Sequence, residues 1–167
     1  FQSGLWNRIL ISAVAISPEY RDASYFDQDM QRIFLLRHPT IVQMYGVIDM
    51  RNSSRGRDGM LSSYLVLERV GLSLDNIMYG HGNEGMFDEL SLADRVQIGR
   101  TVGFAVNYLH KCQPAFTHGL VGVGAVYFED GVRTVKLACC FLPGLAGHRA
   151  GDASKGSSVY GDIYDFG

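Results

Sequence analysis

Three cysteines are the residues whose side chains most directly suggest metal or redox chemistry. Cys139 and Cys140 are adjacent, and Cys112 lies earlier in the chain. No second cysteine pair and no histidine cluster lies near the adjacent pair in the sequence, so a structural metal site is not favoured. The odd number does not make a disulfide framework. We therefore interpret these cysteines as reduced, buried thiols of an intracellular protein.

Three arginines lie within a polar segment, residues 51–63, of sequence RNSSRGRDGMLSS. Their charges would suit an acidic partner, but a segment rich in glycine and serine is more typical of a solvated loop. The 167-residue chain as a whole has a net charge of -2. That charge gives no electrostatic reason to expect nucleic acid or an anionic membrane as a partner.

Hydrophobic spacing predicts the elements that must position any site. The longest apolar run, residues 9–16, is too short to span a bilayer and predicts a strand, so we expect no membrane insertion. Further strands are predicted at 41–49 and 64–70, and a hairpin at 125–128 and 134–138 turns through residues 129–131.

Two helices are predicted by apolar residues at helical spacing. Residues 24–37 form an amphipathic helix that His38-Pro39 ends. A longer helix runs from a Ser91-x-x-Asp94 capping pattern to His110. Gly99 and Gly103 within it predict the close approach of another backbone. The elements together predict an α+β fold in two parts.

Seven short stretches of the sequence, in order, resemble the protein-kinase domain, most closely the tyrosine-kinase-like serine/threonine group. No single match is specific, but seven in the right order at plausible spacings are. They are 13–17 (A-V-A-I-S) for V-A-I-K, 36–42 (L-R-H-P-T-I-V) for L-R-H-P-N-I-V, 64–70 for the strand entering the hinge, 91–110 for the long helix ending Tyr-Leu-His, 117–120 (T-H-G-L) for the catalytic loop, 135–141 for V-K-I-x-D-F-G, and 162–167 (D-I-Y-D-F-G) for D-V-Y-S-F-G.

The resemblance implies a partial bilobal kinase-like fold. Residues 1–70 would form the small lobe from its second strand to the hinge. Residues 71–167 would form the large lobe as far as the start of its central helix. The first strand and the glycine-rich loop would precede Phe1.

The resemblance also implies that each group needed for phosphoryl transfer has been replaced. A kinase uses a lysine on the phosphates, a helix glutamate that pairs with it, a catalytic aspartate, and an asparagine and an aspartate on magnesium. At these positions, in that order, the chain has Ser17, Asp29, Leu120, Ala125 and Cys139.

Composition shows that no small shift of the alignment restores those groups. The sequence has no lysine before Lys111 and no asparagine after Asn107. It has no Asp or Glu within residues 111–128 or within 131–151. An alternative alignment takes the literal Asp165-Phe166-Gly167 as the magnesium motif and residues 148–150 as a degenerate catalytic loop. It is less favoured because the segment between them lacks an apolar strand pair, and Ala150 would still be no base.

Two further groups of residues follow from the resemblance. A vestigial nucleotide pocket is implied at Ala15, Leu67 (the gatekeeper), Glu68 (the first hinge residue), Val70 and Tyr127. A hydrophobic column joining the lobes, the structural spine, is implied at Ile33, Met44, His118 and Cys140, anchored by Asp162. Tyr127 would stand where the family has a leucine beneath the adenine and would crowd that pocket.

The function expected from these observations is a pseudokinase-like, non-catalytic module of signal transduction in the cytoplasm. It would bind a protein partner, for example an active kinase, and would need no metal and no cofactor. The alternative is a divergent kinase that transfers the γ-phosphate of ATP to protein hydroxyls with the help of magnesium. We also expect apolar surface on the 91–110 helix to be exposed in this chain.

Overall fold

The computed structural model describes residues 2–6, 9–16, 21, 22, 24, 26–49, 63–80, 85–113, 115–119, 121–129, 134–138 and 163. This part of the chain is α+β, with antiparallel strand pairs and a few helices, as predicted. It divides into two compact units. The first takes its described residues from Phe1–Arg37 and Gln43–Arg69, and the second takes most of its described residues from His38–Val42 and Val70–Phe141.

The first unit contains a four-stranded antiparallel sheet. Its strands are β1 (Gln2–Trp6), β2 (Ile9–Ile16), β3 (Met44–Asp49) and β4 (Ser63–Glu68), in the order β1-β2-β4-β3. Strand β2 has the predicted bounds, and β4 ends two residues before the predicted limit. β1 was not predicted. Strand β4 lies between β2 and β3, and three consecutive side chains on it are buried: Leu65, Val66 and Leu67. Because successive side chains of a strand point to opposite faces of the sheet, both faces are covered at this point.

Helix α1 (Phe26–Leu35) follows β2 along the chain and contacts β3. Its buried side chains, Phe26, Met30 and Ile33, recur at helical spacing and are followed by buried Leu36. The predicted helix is confirmed but shorter than residues 24–37. The Leu36 N–H donates to the Ile33 carbonyl at 3.1 Å, a tighter turn that leads into His38-Pro39.

The second unit contains helices α2 (Leu74–Tyr79) and α3 (Leu92–Lys111) and a hairpin of β5 (Val126–Phe128) and β6 (Val135–Leu137). A short 3₁₀ turn, Val123–Ala125, precedes β5. The long helix and the hairpin are confirmed. α2 was not predicted, because six residues are too few to show a helical period.

Two separate chain segments extend the hairpin on its two edges. On the β5 edge, Gly71 N–H donates to the Phe128 carbonyl at 2.8 Å, and Phe128 N–H donates to the Leu72 carbonyl at 2.9 Å. On the β6 edge, Leu137 N–H donates to the Thr40 carbonyl at 2.8 Å, and Val42 N–H donates to the Leu137 carbonyl at 2.9 Å. The strand predicted from residue 41 therefore begins only at Met44, since residues 40–42 bond to β6.

Helix α3 is anchored at both ends. Its N-terminus carries the predicted capping box, in which Asp94 N–H donates to Ser91 Oγ and Ser91 N–H donates to Asp94 Oδ2 at 3.0 Å. Near its C-terminus the Tyr108 ring stacks on His38 at 4.5 Å between centroids. The close approach predicted at Gly99 is wrong for the described residues, because nothing there lies within 4 Å of a Cβ placed on it.

The exposed side of α3 carries apolar side chains, as predicted. Leu92, Val96 and Phe104 are all at least half exposed. The opposite side is buried, at Ile98, Thr101, Val102, Ala105, Val106 and Leu109. Within the described ranges, no helix is both long and apolar enough to cross a membrane.

Replacing Gly71 by alanine should destabilise the fold. The added Cβ would lie 2.6 Å from the Phe128 carbonyl oxygen and 3.1 Å from that of Glu129, both backbone atoms. We expect a loss of about 1–3 kcal/mol in the free energy of unfolding, measured in urea. Gly99→Ala is the matched control and should gain about 0.5–1 kcal/mol, because alanine is the better helix former. Equal effects at the two positions would contradict the pairing of Gly71 with β5.

Acid should weaken the cap of α3. The Ser91 hydroxyl, and then its backbone N–H, donate to the Asp94 carboxylate and lower its pKa below the ordinary 3.8. Because the folded-state pKa is the lower one, the cap's contribution is present above pH 3.8 and is lost as pH falls through that lower pKa. An NMR titration of the Asp94 carboxyl carbon should give a midpoint below 3.8. Ser91→Ala should return it towards the ordinary value.

Candidate functional site

The stretch that resembles the strand of the phosphate-binding lysine lies on β2. Residues 13–16 of the A-V-A-I-S stretch are on this strand, with Ala15 exposed and paired with Tyr64 of β4. Ser17 itself lies outside the described residues. The side chains of 9–16 are aliphatic or hydroxyl groups, so β2 offers no cation to a phosphate.

The position of the lysine's partner carboxylate lies on α1. Asp29 is part of the helix, but its side chain is outside the described part. Ile33, on the same helix, is buried. Met44, the first residue of β3, is buried as well and pairs with Leu67 of β4. The core of the first unit therefore contains Ile33 and Met44, which are assigned to the structural spine, and Leu67, which is assigned as the gatekeeper.

Glu68, at the end of β4, makes contacts that sequence reasoning did not predict. Its carboxylate accepts the Gln43 N–H at 2.7 Å, and its own N–H donates to the Gln43 carbonyl at 2.9 Å. Both atoms of the Gln43 main chain are thus satisfied by one residue. This contact of the Glu68 side chain lies within the first unit. It is next to the irregularity at Met44–Gly46, where the pairing register of β3 with β4 shifts.

The catalytic-loop position lies in the second unit, between α3 and the 3₁₀ turn. His118 is only 1% exposed, and its Nε2 lies 2.8 Å from the Ala138 carbonyl oxygen. Because a carbonyl only accepts, Nε2 carries the proton and donates. Gly119 follows with φ 74°, a backbone conformation that favours glycine. Leu120 lies outside the described residues.

Ala125, one of the two residues that the resemblance assigns to magnesium binding, contacts Ala138. Ala125, where a kinase has its asparagine, is buried, and its carbonyl accepts the Ala138 N–H at 2.8 Å. Ala138 therefore bonds to Ala125 through its N–H and to His118 through its carbonyl. A methyl group at residue 125 has no atom that could ligate a metal. Cys139 and Cys140, which come next, and Asp162 lie outside the described part.

The remaining pocket residues, Tyr127 and Val70, are both in the second unit. Tyr127 is half-buried on β5, opposite Lys136 of β6, and Val70 is half-buried ahead of Gly71. The Lys136 ammonium lies 3.5 Å from the Glu129 carboxylate, so this cation already has an anionic neighbour. Across the described ranges, no group of three or more His, Cys, Asp or Glu side chains could hold a metal ion.

The other candidate residues are described only in part. Cys112 is a free thiol, half-buried rather than fully buried, and its Sγ donates to the Tyr108 carbonyl at 3.4 Å. The arginine-bearing segment 51–62 and the alternative motifs at 148–150 and 165–167 lie outside the described residues.

In the second unit, His118 and Ala125 both form a hydrogen bond with the main chain of Ala138. The resemblance assigns His118 to the structural spine and Ala125 to the position of a magnesium ligand. Their side chains are an imidazole donating to a carbonyl and a methyl group. Neither side chain is a carboxylate, the group that a kinase uses at its catalytic-loop and D-F-G positions. The chain matches no protein-family model, and no match was found among curated proteins.

Proposed function

We propose that this chain is part of a pseudokinase-like domain, a kinase-like fold that binds a protein partner and does not transfer phosphate. The observation that carries the proposal is the absence, in any reasonable alignment, of the charges that phosphoryl transfer requires. No lysine precedes Lys111, and residues 111–128 and 131–151 contain neither Asp nor Glu. A sequence that keeps the order of the kinase motifs without these charges is typical of a non-catalytic relative.

The order of the elements supports the kinase-like part of the proposal. The V-A-I stretch lies on a strand, which is the context that motif requires, and a helix follows it. The long helix that resembles the one ending Tyr-Leu-His precedes a buried histidine and a short hairpin. An α+β fold alone does not identify a kinase. The bilobal arrangement, with residues 1–70 and 71–167 as partial lobes, belongs to the proposal.

The non-catalytic part of the proposal rests on electrostatics. The transferred phosphoryl group carries negative charge that magnesium and a lysine neutralise in a kinase. Losing a single preorganised charge-stabilising group costs about 3–4 kcal/mol of transition-state stabilisation. Because such groups act as a unit, the losses need not add. Asp29 keeps the carboxylate of the helix glutamate, but Ser17, Leu120 and Ala125 supply neither the lysine's positive charge nor an oxygen ligand for magnesium in its place.

Nucleotide binding is proposed to be weak or absent, and no cofactor is expected. The resemblance places Tyr127 where a leucine lies beneath the adenine. The Tyr127 ring is half-buried and belongs to a paired strand, which limits how far its backbone can move away. Ala125 and the residues around it offer magnesium no ligand oxygen from a side chain.

The partner is proposed to be a protein of the cytoplasm, for example an active kinase. Exposed apolar side chains lie on α1, which the resemblance assigns as the regulatory helix, and on α3, which it assigns as the long helix of the large lobe. On α1 these are Phe34 and Leu35, and on α3 they are Leu92, Val96 and Phe104. Exposed apolar clusters of this kind often mark protein-interaction surfaces.

A phosphotransfer assay on the protein with magnesium, γ-labelled ATP and a generic protein acceptor tests the proposal. We expect no transfer above background, with an active kinase as the positive control. Transfer that disappears on substitution of residues 118–127 would establish the alternative, a divergent kinase.

A thermal-shift titration with ATP, with and without magnesium, tests nucleotide binding separately. We expect no saturable rise in melting temperature, whereas a ligand at 100 times its Kd would stabilise the fold by about 2.7 kcal/mol. If the ring of Tyr127 blocks the pocket, Tyr127→Leu should bind ATP more tightly than Tyr127→Phe. Saturable binding to the unmodified protein would overturn the nucleotide part of the proposal and leave the phosphotransfer part standing.

A further inference from the structure

The side chain of Arg21 connects two elements of the first unit. Its guanidinium donates to Asp49 Oδ2 at 3.1 Å, at the last residue of β3. It also lies 4.0 Å from Asp27 Oδ1 and 4.6 Å from the centre of the Phe26 ring. Phe26 and Asp27 form the first turn of α1. One cation therefore joins the start of the helix to the end of a strand.

The anion that Arg21 contacts is itself held by the sheet. Ser63, the first residue of β4, is buried, and its hydroxyl donates to Asp49 Oδ1 at 3.3 Å. Residues 49 and 63 are paired across β3 and β4. One carboxylate oxygen thus bonds to the sheet and the other to Arg21, so the Asp49 side chain gives Arg21 a fixed point of attachment.

Two features weaken these contacts. The side chains of Arg21 and Asp49 are 23% and 32% exposed, and that of Asp27 is 85% exposed, so dissolved salt can screen all three charges. In addition, the Arg21 Nε–H is buried and has no hydrogen-bond partner among the described residues. A buried donor without an acceptor costs free energy that offsets part of the ion pair's contribution.

We propose that Arg21 is an electrostatic latch, which holds the first turn of α1 to the paired end of β3 and β4 and opens as ionic strength rises. The rest of the helix does not depend on this contact. Met30 and Ile33 are buried apolar side chains, and their burial is not weakened by simple salt. Opening of the latch therefore frees the beginning of α1 while its later turns stay packed.

Hydrogen exchange on the protein, followed residue by residue, tests the latch. The amides of residues 30–32 donate to the carbonyls of residues 26–28, so they report on the first turn. Arg21→Ala should speed their exchange about three- to tenfold, the range expected for one partly exposed ion pair with its ring contact. Arg21→Lys keeps the charge but loses the planar guanidinium. Its exchange rates at residues 30–32 should lie between those of the unmodified protein and those of Arg21→Ala.

The matched control is Arg95→Ala. Arg95 also stacks over a phenylalanine, Phe87 at 4.4 Å, and lies 4.0 Å from a carboxylate, that of Asp88, but it belongs to the second unit. Its removal should leave the exchange of residues 30–32 unchanged. Unchanged exchange in Arg21→Ala would overturn the proposal.

Salt provides a test that does not depend on whether a variant folds. In the unmodified protein, raising KCl from 0.1 M to 1 M shortens the Debye length from about 10 Å to about 3 Å. Exchange of residues 30–32 should then approach that of Arg21→Ala, while the amides in the middle of α3 should keep their rates. If salt has no effect on residues 30–32, or affects α3 equally, Arg21 is not a latch.

Discussion

Replacing Leu109 by alanine is expected to lower the free energy of unfolding by about 2–5 kcal/mol, the largest effect of any single truncation argued for this chain. Leu109 is 0% exposed on the buried side of α3, and the N–H groups of Cys112 and Phe116 both donate to its carbonyl. Removing three carbons there leaves a cavity beside the turn that ends the helix. Urea unfolding followed by circular dichroism measures the loss.

Leu92→Ala is the matched control for Leu109→Ala. Both are leucines on α3, but Leu92 is 78% exposed. Its truncation should change stability by no more than about 0.5 kcal/mol. If instead Leu92→Ala is as costly as Leu109→Ala, the side of α3 described as exposed is covered in the protein. If the proposed partner binds this side, Leu92→Ala should weaken its binding without lowering the melting temperature.

The sequence predicted the elements that have enough length or a strong local signal. The strand at 9–16 is marked by eight consecutive residues of aliphatic or small type, and α3 by a Ser-x-x-Asp cap followed by apolar residues. β1 and α2 were missed. Gln2–Trp6 has no strict alternation of apolar and polar residues, and Leu74–Tyr79 is less than two helical turns. Short elements are formed by pairing and packing with distant residues, which local periodicity does not report.

The exact ends of strands depended on contacts far apart in the sequence. Residues 40–42 resemble the beginning of a strand because Ile41 and Val42 are β-branched and apolar. They bond instead to Leu137, nearly a hundred residues later. In the same way, Glu68 was assigned to a hinge, but its carboxylate accepts from Gln43. No pattern in either segment alone indicates such a partner.

The candidate site was predicted mainly through what its positions lack. Ser17, Leu120, Cys139, Cys140 and Asp162 lie outside the described residues. Ala125 is described: its side chain is buried, and its carbonyl accepts the Ala138 N–H. The contact of His118 with Ala138 was not foreseen in detail, because the two residues are twenty positions apart. The contact is a structural one, in which a buried imidazole donates to a backbone carbonyl.

Among the buried polar side chains, His118 is the one whose replacement is expected to lower the free energy of unfolding most. In His118→Phe a larger ring replaces the imidazole, and the Ala138 carbonyl loses the imidazole N–H that lies 2.8 Å away. Leaving a buried acceptor without that donor costs about 1–3 kcal/mol. His118→Ala adds a cavity at a site that is 1% exposed, so its loss should be larger, about 2–4 kcal/mol. Urea unfolding of both variants gives the two values.

His118→Asn distinguishes the hydrogen bond from the packing. The asparagine amide can donate to a carbonyl but is smaller than imidazole, so this variant should be more stable than His118→Ala while still losing ring contacts. If His118→Phe is as stable as the unmodified protein, the bond to Ala138 contributes nothing and the histidine is held by packing alone.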